Sequence, residues 1–134
     1  MPDQPALTGG CLCGAVRYEL ARRPKGVVNC HCGMCRRWHG SHGAYVAVRR
    51  EAFRITKDEG LTWYASSPDA RRGFCKICGS SLFWDKPDNP AADIAAGTLD
   101  QPTGLTTLMH IFVDDKADYT NLTDGIAQRH QSTE

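Results

Sequence analysis

The segment GFCKICGSSLFWD, residues 73–85, reads as a strand, a tight turn carrying Cys75 and Cys78, and a returning strand. Two thiolates separated by two residues can approach one ion. Gly79, directly after the pair, permits a positive-φ turn in which backbone amides face the sulfurs. A hairpin closed by a metal knuckle points to a small β protein with metal helping to hold it together.

The flanking sequence extends that reading. In GCLCGAVRYEL (10–20), Val16, Tyr18 and Leu20 alternate with Arg17 and Glu19, as a half-buried strand requires. GAYVAV (43–48) is a compact apolar run, and FRIT (53–56) alternates again. The polar connector KDEG then leads to LTWYASS (61–67), which is expected to pair with FRIT as a hairpin. ADIAAGTL (92–99) and MHIFV (109–113) supply two more strands. Helical periodicity is scarce: CRRWH (35–39) is expected to form one short turn, and residues 118–134 an irregular tail. No internal repeat or linker divides the chain, so one domain over 1–134, mainly antiparallel β, is expected.

Composition narrows the function classes. Sixteen basic and fifteen acidic side chains leave a formal charge of +1, which offers no electrostatic footprint for nucleic acid or an anionic membrane. No apolar run approaches the roughly 20 residues that span a bilayer. The start MPDQPALTGG lacks the basic and apolar regions of a signal peptide, so a cytoplasmic location is expected. In a reducing compartment, closely spaced cysteines indicate metal or catalysis before disulfides.

Seven cysteines are present: Cys11, Cys13, Cys30, Cys32, Cys35, Cys75 and Cys78. Spacing alone leaves two divisions open. Cys32 and Cys35 with Cys75 and Cys78 would form a two-knuckle ribbon, leaving Cys11, Cys13 and Cys30 over. Cys11 and Cys13 with Cys75 and Cys78 would close a four-cysteine site and leave the C-x-C-x-x-C triple intact. The second uses all seven and is preferred.

The motifs GGCLCGAVRYEL, CHCGMCRRWHGS, RRGFCKICGSSLFW, AAGTLD, HIFVDDKADY and DGIAQ together make the chain resemble the glutathione-dependent formaldehyde-activating enzyme family, which also includes centromere protein V. The resemblance implies a β-tent fold of coiled antiparallel sheets organised around two zinc ions per chain. It implies that Cys11, Cys13, Cys75 and Cys78 form a structural site, and that Cys30, Cys32 and Cys35 hold a second zinc.

A zinc with three protein ligands keeps its fourth position for water or substrate. Three thiolates make it a poor generator of hydroxide but a good holder of a soft substrate sulfur. Cys30, Cys32 and Cys35 are therefore the expected catalytic centre. The resemblance implies a carbon–sulfur lyase-like reaction, adding glutathione or a similar small thiol to formaldehyde, or the reverse. Zinc would lower the thiol pKa or polarise the aldehyde oxygen, and a nearby group would protonate the forming alkoxide.

Arg36, Arg37 and Trp38 follow the triple and are the candidate substrate contacts. Arg22–Arg23, Arg49–Arg50 and Arg71–Arg72 are comparable basic pairs, for which a solvated surface is the plain expectation. His31 should point away from its neighbours' metal; His39 and His42 could reach the site but are expected to be satisfied loop histidines, and His110 is expected to pack in the core with Phe112. Trp63 and Trp84 are expected in the core or a pocket wall. The alternative function is a non-catalytic zinc-binding module for protein contacts, which a fourth protein ligand such as His39 or His42 on the second zinc would favour. Methionine-sulfoxide reduction would need a free cysteine in the C-terminal half, and none follows Cys78.

Overall fold

The computed structural model describes residues 4–132. Strands β1 (Leu7–Gly10), β2 (Val16–Leu20) and β3 (Val27–Cys30) open the chain and lead into helix α1 (Gly33–His39). Strands β4 (Gly43–Arg49), β5 (Phe53–Asp58), β6 (Leu61–Ala65), β7 (Arg71–Cys75) and β8 (Ser81–Asp85) follow. After these come β9 (Ala91–Ala95), β10 (Thr107–Ile111) and the two-residue β11 (Ala127–Gln128). One sheet has the order β1-β2-β5, and the other β11-β10-β3-β4-β9-β8-β7-β6. The mainly β expectation holds.

The core lies between the two sheets. Val16, Tyr18 and Leu20 of β2 are buried against Val46, Val48, Leu82, Phe83 and Ile94 of the larger sheet. The Tyr18 ring meets Phe53 and Phe83 edge-on, at centroid distances of 5.9 and 5.6 Å, and its hydroxyl bonds to Thr98 Oγ1 at 2.7 Å.

One expectation about pairing needs correction. FRIT and LTWYASS do not form a hairpin. Strand β5 pairs with β2, opposing Ile55 to Tyr18 and Phe53 to Leu20, whereas β6 pairs with β7. Alternation specifies which face of a strand is buried, not which strand lies beside it. Here Phe53 and Ile55 join the Tyr18 face, and the Trp63 ring lies over Gly73, where any side chain would collide with it. The larger sheet also contains parallel pairings, since β10 runs parallel to both β3 and β11.

Helix α1 is too short to be stable alone and is fixed from outside. Cys32 caps its start, its sulfur accepting from the Cys35 amide at 3.3 Å, and Gly40 ends it with φ of 97°. Trp38 anchors it by donating from Nε1 to Ser81 Oγ at 2.8 Å and stacking on Tyr64. The expected irregular tail is found over residues 118–132, interrupted by β11; residues 133 and 134 lie outside the described ones. Among the described residues, no helix is long and apolar enough to cross a membrane.

Candidate functional site

The cysteines gather into two clusters. The sulfurs of Cys11, Cys13, Cys75 and Cys78 lie within 4.8 Å of one another, as do those of Cys30, Cys32 and Cys35. Of the two divisions open by spacing, the four-plus-three division is the one brought together.

The four-cysteine cluster joins two turns. Cys11 and Cys13 lie between β1 and β2, Cys75 ends β7, and Cys78 lies in the turn to β8, where Gly79 takes φ of 81°. Cys13 Sγ stands 3.7 Å from Cys11 Sγ and 3.8 Å from Cys75 Sγ. Four sulfurs about 2.3 Å from one ion at tetrahedral corners would be about 3.8 Å apart, so the donors fit a metal of zinc's size. The Val16 amide donates to Cys11 Sγ at 3.2 Å, and the Ser80 hydroxyl, beside Cys78 Sγ at 3.2 Å, holds that thiol down at about 5. These contacts favour thiolates, the form that binds metal.

The three-cysteine cluster is assembled where β3 meets α1: Cys30 ends the strand, Cys32 caps the helix and Cys35 lies in its first turn. The three sulfurs are close enough for their ionisations to be coupled, so that the neighbouring Cys30 and Cys35 favour the Cys32 thiolate while Cys32 pushes Cys30 up. Among the described residues, no histidine or carboxylate completes this group as a fourth metal ligand. The cluster opens into a cavity of about 550 Å³ whose lining includes all three cysteines, Tyr45, Arg72, Trp84 and Asp93.

The cavity floor is the face of the larger sheet turned away from the core. Register places Ala47 opposite Asp93, Asp93 opposite Trp84, and Trp84 opposite Arg72, giving one row across β4, β9, β8 and β7. Arg72 is only 3% exposed. It directs Nη1 and Nη2 to Cys35 Sγ at 3.9 and 3.8 Å, and Nη1 also donates to the Tyr45 hydroxyl at 3.1 Å. Among the described residues its Nε has no hydrogen-bond partner. Tyr45 lies 2.6 Å from His39 Nε2. Burial, with Arg72 nearby, lowers His39 to about 4, so its ring is neutral at pH 7.

Arg36, Arg37 and Trp38 do not line the cavity. Arg37 is exposed, Arg36 is half-buried, and Trp38 anchors the helix. His39 is engaged with Tyr45, and His42 packs its ring 4.9 Å from that of His31. His31 is buried and turned from the cysteines, with Nε2 at 3.0 Å from His110 Nδ1. His110 does more than pack: its Nε2 also bonds Asp124 Oδ2 at 2.8 Å. Trp84 is a cavity wall, and Trp63 packs against Phe83.

Sequence reasoning passed over Arg72, Tyr45 and Asp93. Arg72 was hidden in a basic pair, although a strand must send one of two adjacent arginines inward. Asp93 carried a clearer signal, as the one charged residue of the apolar run AADIAA.

The chain is similar to several known proteins. Residues 6–115 match the family described as glutathione-dependent formaldehyde-activating enzyme. A Schizosaccharomyces pombe protein named as a lyase is 31% identical over 117 residues, covering 85% of this chain and 83% of its own length. A Halomonas elongata protein named for glutathione-dependent formaldehyde activation is 26% identical over 129 residues, covering 87% of this chain and 80% of its own. A crystal structure of a Rhodobacter sphaeroides protein shares the fold, with a TM-score of 0.60 at 24% identity, covering 75% of this chain and 98% of that one. The matched span and the two cysteine clusters within it place this chain in the glutathione-dependent formaldehyde-activating enzyme family.

Proposed function

We propose that this chain is a zinc-dependent, carbon–sulfur lyase-like enzyme that joins a small thiol such as glutathione to formaldehyde or a related aldehyde, or runs the reverse cleavage. The observation that carries this is a three-sulfur cluster with no fourth protein ligand among the described residues, opening into a cavity lined by a buried arginine. The four-cysteine cluster would hold a structural zinc, and Cys30, Cys32 and Cys35 a second. When bound there, zinc would supply an open position for a thiol sulfur and favour its thiolate at neutral pH.

This chain's own residues supply the rest. In the forward direction, sulfur adds to the carbonyl carbon, the thiol proton leaves, and the carbonyl oxygen becomes a hydroxyl. Arg72 fixes a positive charge beside Cys35, which offsets the negative charge of the sulfurs and of the forming alkoxide. With His39 in its Nε2–H tautomer, both His39 and Arg72 donate to the Tyr45 oxygen. Tyr45 then keeps its own proton for the cavity, can give it to the alkoxide, and regains one from solvent, which takes up the proton that the thiol loses. Trp84 and the small side chains of Ala47 and Ala91 form the apolar wall along which the thiol would lie.

A non-catalytic zinc module would be favoured by a protein ligand closing the triple. The engagement of His39 with Tyr45 and of His42 with His31 speaks for the enzyme instead. The test is a thiol–aldehyde exchange assay with glutathione and formaldehyde, read above the uncatalysed rate. Wild type should accelerate exchange and Cys35→Ser should not. Equal rates, with wild type fully loaded with zinc, would overturn the reading.

A further inference from the structure

Asp93 is an anomaly in the cavity floor. It lies mid-strand on β9, in line with Trp84 and Arg72, and faces the cavity that the three cysteines open into. Among the described residues its carboxylate has no hydrogen-bond partner. A half-buried carboxylate with no protein partner, facing a cavity, is free to bond a group that enters it.

The nearby cations are already committed. Arg72 starts on the far side of Trp84, two strands away, so its Cα is about 9.5 Å from that of Asp93. Its guanidinium is directed to Cys35 and Tyr45. Arg50 is near enough for its charge to favour the Asp93 carboxylate, but it is bonded to Asp85 at 2.8 Å and to the carbonyls of Asn89 and Lys86. Asp85 adds negative charge near Asp93 rather than relieving it. Burial pushes the Asp93 carboxyl up to about 6, more than Arg50 offsets, and the group is still mostly ionised at neutral pH.

We propose that Asp93 receives the ammonium group of the thiol substrate, so that the cavity selects thiols bearing a primary amine over equal thiols that lack one. This rests on the thiol–aldehyde reading above and narrows it to a substrate class. The sulfur lies at the cysteine cluster and the ammonium reaches across Trp84 to Asp93. Thiols whose only charge is a carboxylate meet an unpaired anion there and are disfavoured. A site built to bond a substrate N–H rejects the analogue without it because its own polar group is left unpaired.

The test uses the zinc-loaded protein and two thioethers, S-methylglutathione and the same molecule lacking the α-amino group, titrated calorimetrically. Neither can present a thiolate, so binding is read apart from chemistry. Wild type should bind the amine-bearing compound at least tenfold more tightly. Asp93→Asn should bind the two alike, and Asp93→Glu, which keeps the charge, should restore part of the preference. No preference in wild type, or full preference in Asp93→Asn, would overturn the assignment. Amine preference in binding without catalysed exchange would sink the reaction and leave Asp93 standing. Catalysed exchange without amine preference would sink the Asp93 assignment alone.

Discussion

The guanidinium of Arg72 stands beside the sulfur of Cys35, with Nη2 at 3.8 Å, although the two residues belong to different elements, β7 and α1. A buried cation is thus built against a cluster of thiols, and the pair is what separates this site from an ordinary knuckle. Replacing Arg72 by Met should lower kcat/KM for thiol–aldehyde exchange by about a hundredfold, the usual cost of one preorganised charged donor. Arg72→Lys should recover little, because one ammonium cannot reach both Cys35 and Tyr45 as the planar fork does. Steady-state kinetics at matched zinc content would check both.

Tyr45→Phe should leave the metal content unchanged and reduce kcat by about a hundredfold, as loss of a positioned proton donor does. His39 and Arg72 both lose a partner in that variant, so stability should fall by about 1–3 kcal/mol. A kcat at the wild-type level would remove Tyr45 from the reaction.

Asp93 gives a stability signature with a defined sign. Its folded carboxyl titrates at about 6, above the ordinary 3.8, because burial disfavours the charge. Between those values the folded state holds more protons than the unfolded one, so stability falls as pH rises from about 4 to about 6. Two units correspond to on the order of 3 kcal/mol. Asp93→Asn should therefore melt at a higher temperature than wild type at pH 7.5, with the gap closing toward pH 4. A variant that is less stable at pH 7.5 would contradict the buried, unpaired carboxylate.

The two clusters should be separable by mutation. A Cβ at Gly60 would sit 2.5 Å from Cys75 Sγ, against a sulfur that is fully buried and cannot retreat. Gly60→Ala should lower bound zinc from about two ions to about one by disabling the four-cysteine cluster. Cys32→Ser should lower it to about one by disabling the other. Elemental analysis counts the ions, and melting curves tell them apart: Gly60→Ala should lose more stability than Cys32→Ser.

Much of this was legible in the sequence, for physical reasons that differ by residue. Alternation placed Val16, Tyr18 and Leu20 in the core because a strand has only two faces. The knuckle at Cys75 and Cys78 was readable because its turn needs Gly79 at positive φ. The partner of β5 was not readable, since pairing with β2 depends on contacts distant in the chain. Strands β1 and β3 were missed as well; VVNC, ending in Cys30, is too short to show a period. The substrate contacts expected at Arg36 and Arg37 rested on nearness in sequence, whereas Arg72 reaches Cys35 from 37 residues away. Register across four strands creates the row from Ala47 to Arg72, and no local pattern contains it.

The four-cysteine cluster takes two sulfurs from the smaller sheet and two from the larger, so an ion there works as a removable rivet between them. Unlike a disulfide, such a rivet holds in reducing surroundings, and its grip depends on supply. Each tenfold rise in free metal above the dissociation constant would add about 1.4 kcal/mol to folding stability. Metal scarcity would then act on the whole molecule through its architecture, loosening the smaller sheet from the larger one, whose outer face is the cavity floor. The amount of working protein would follow the availability of the ion without any separate sensor.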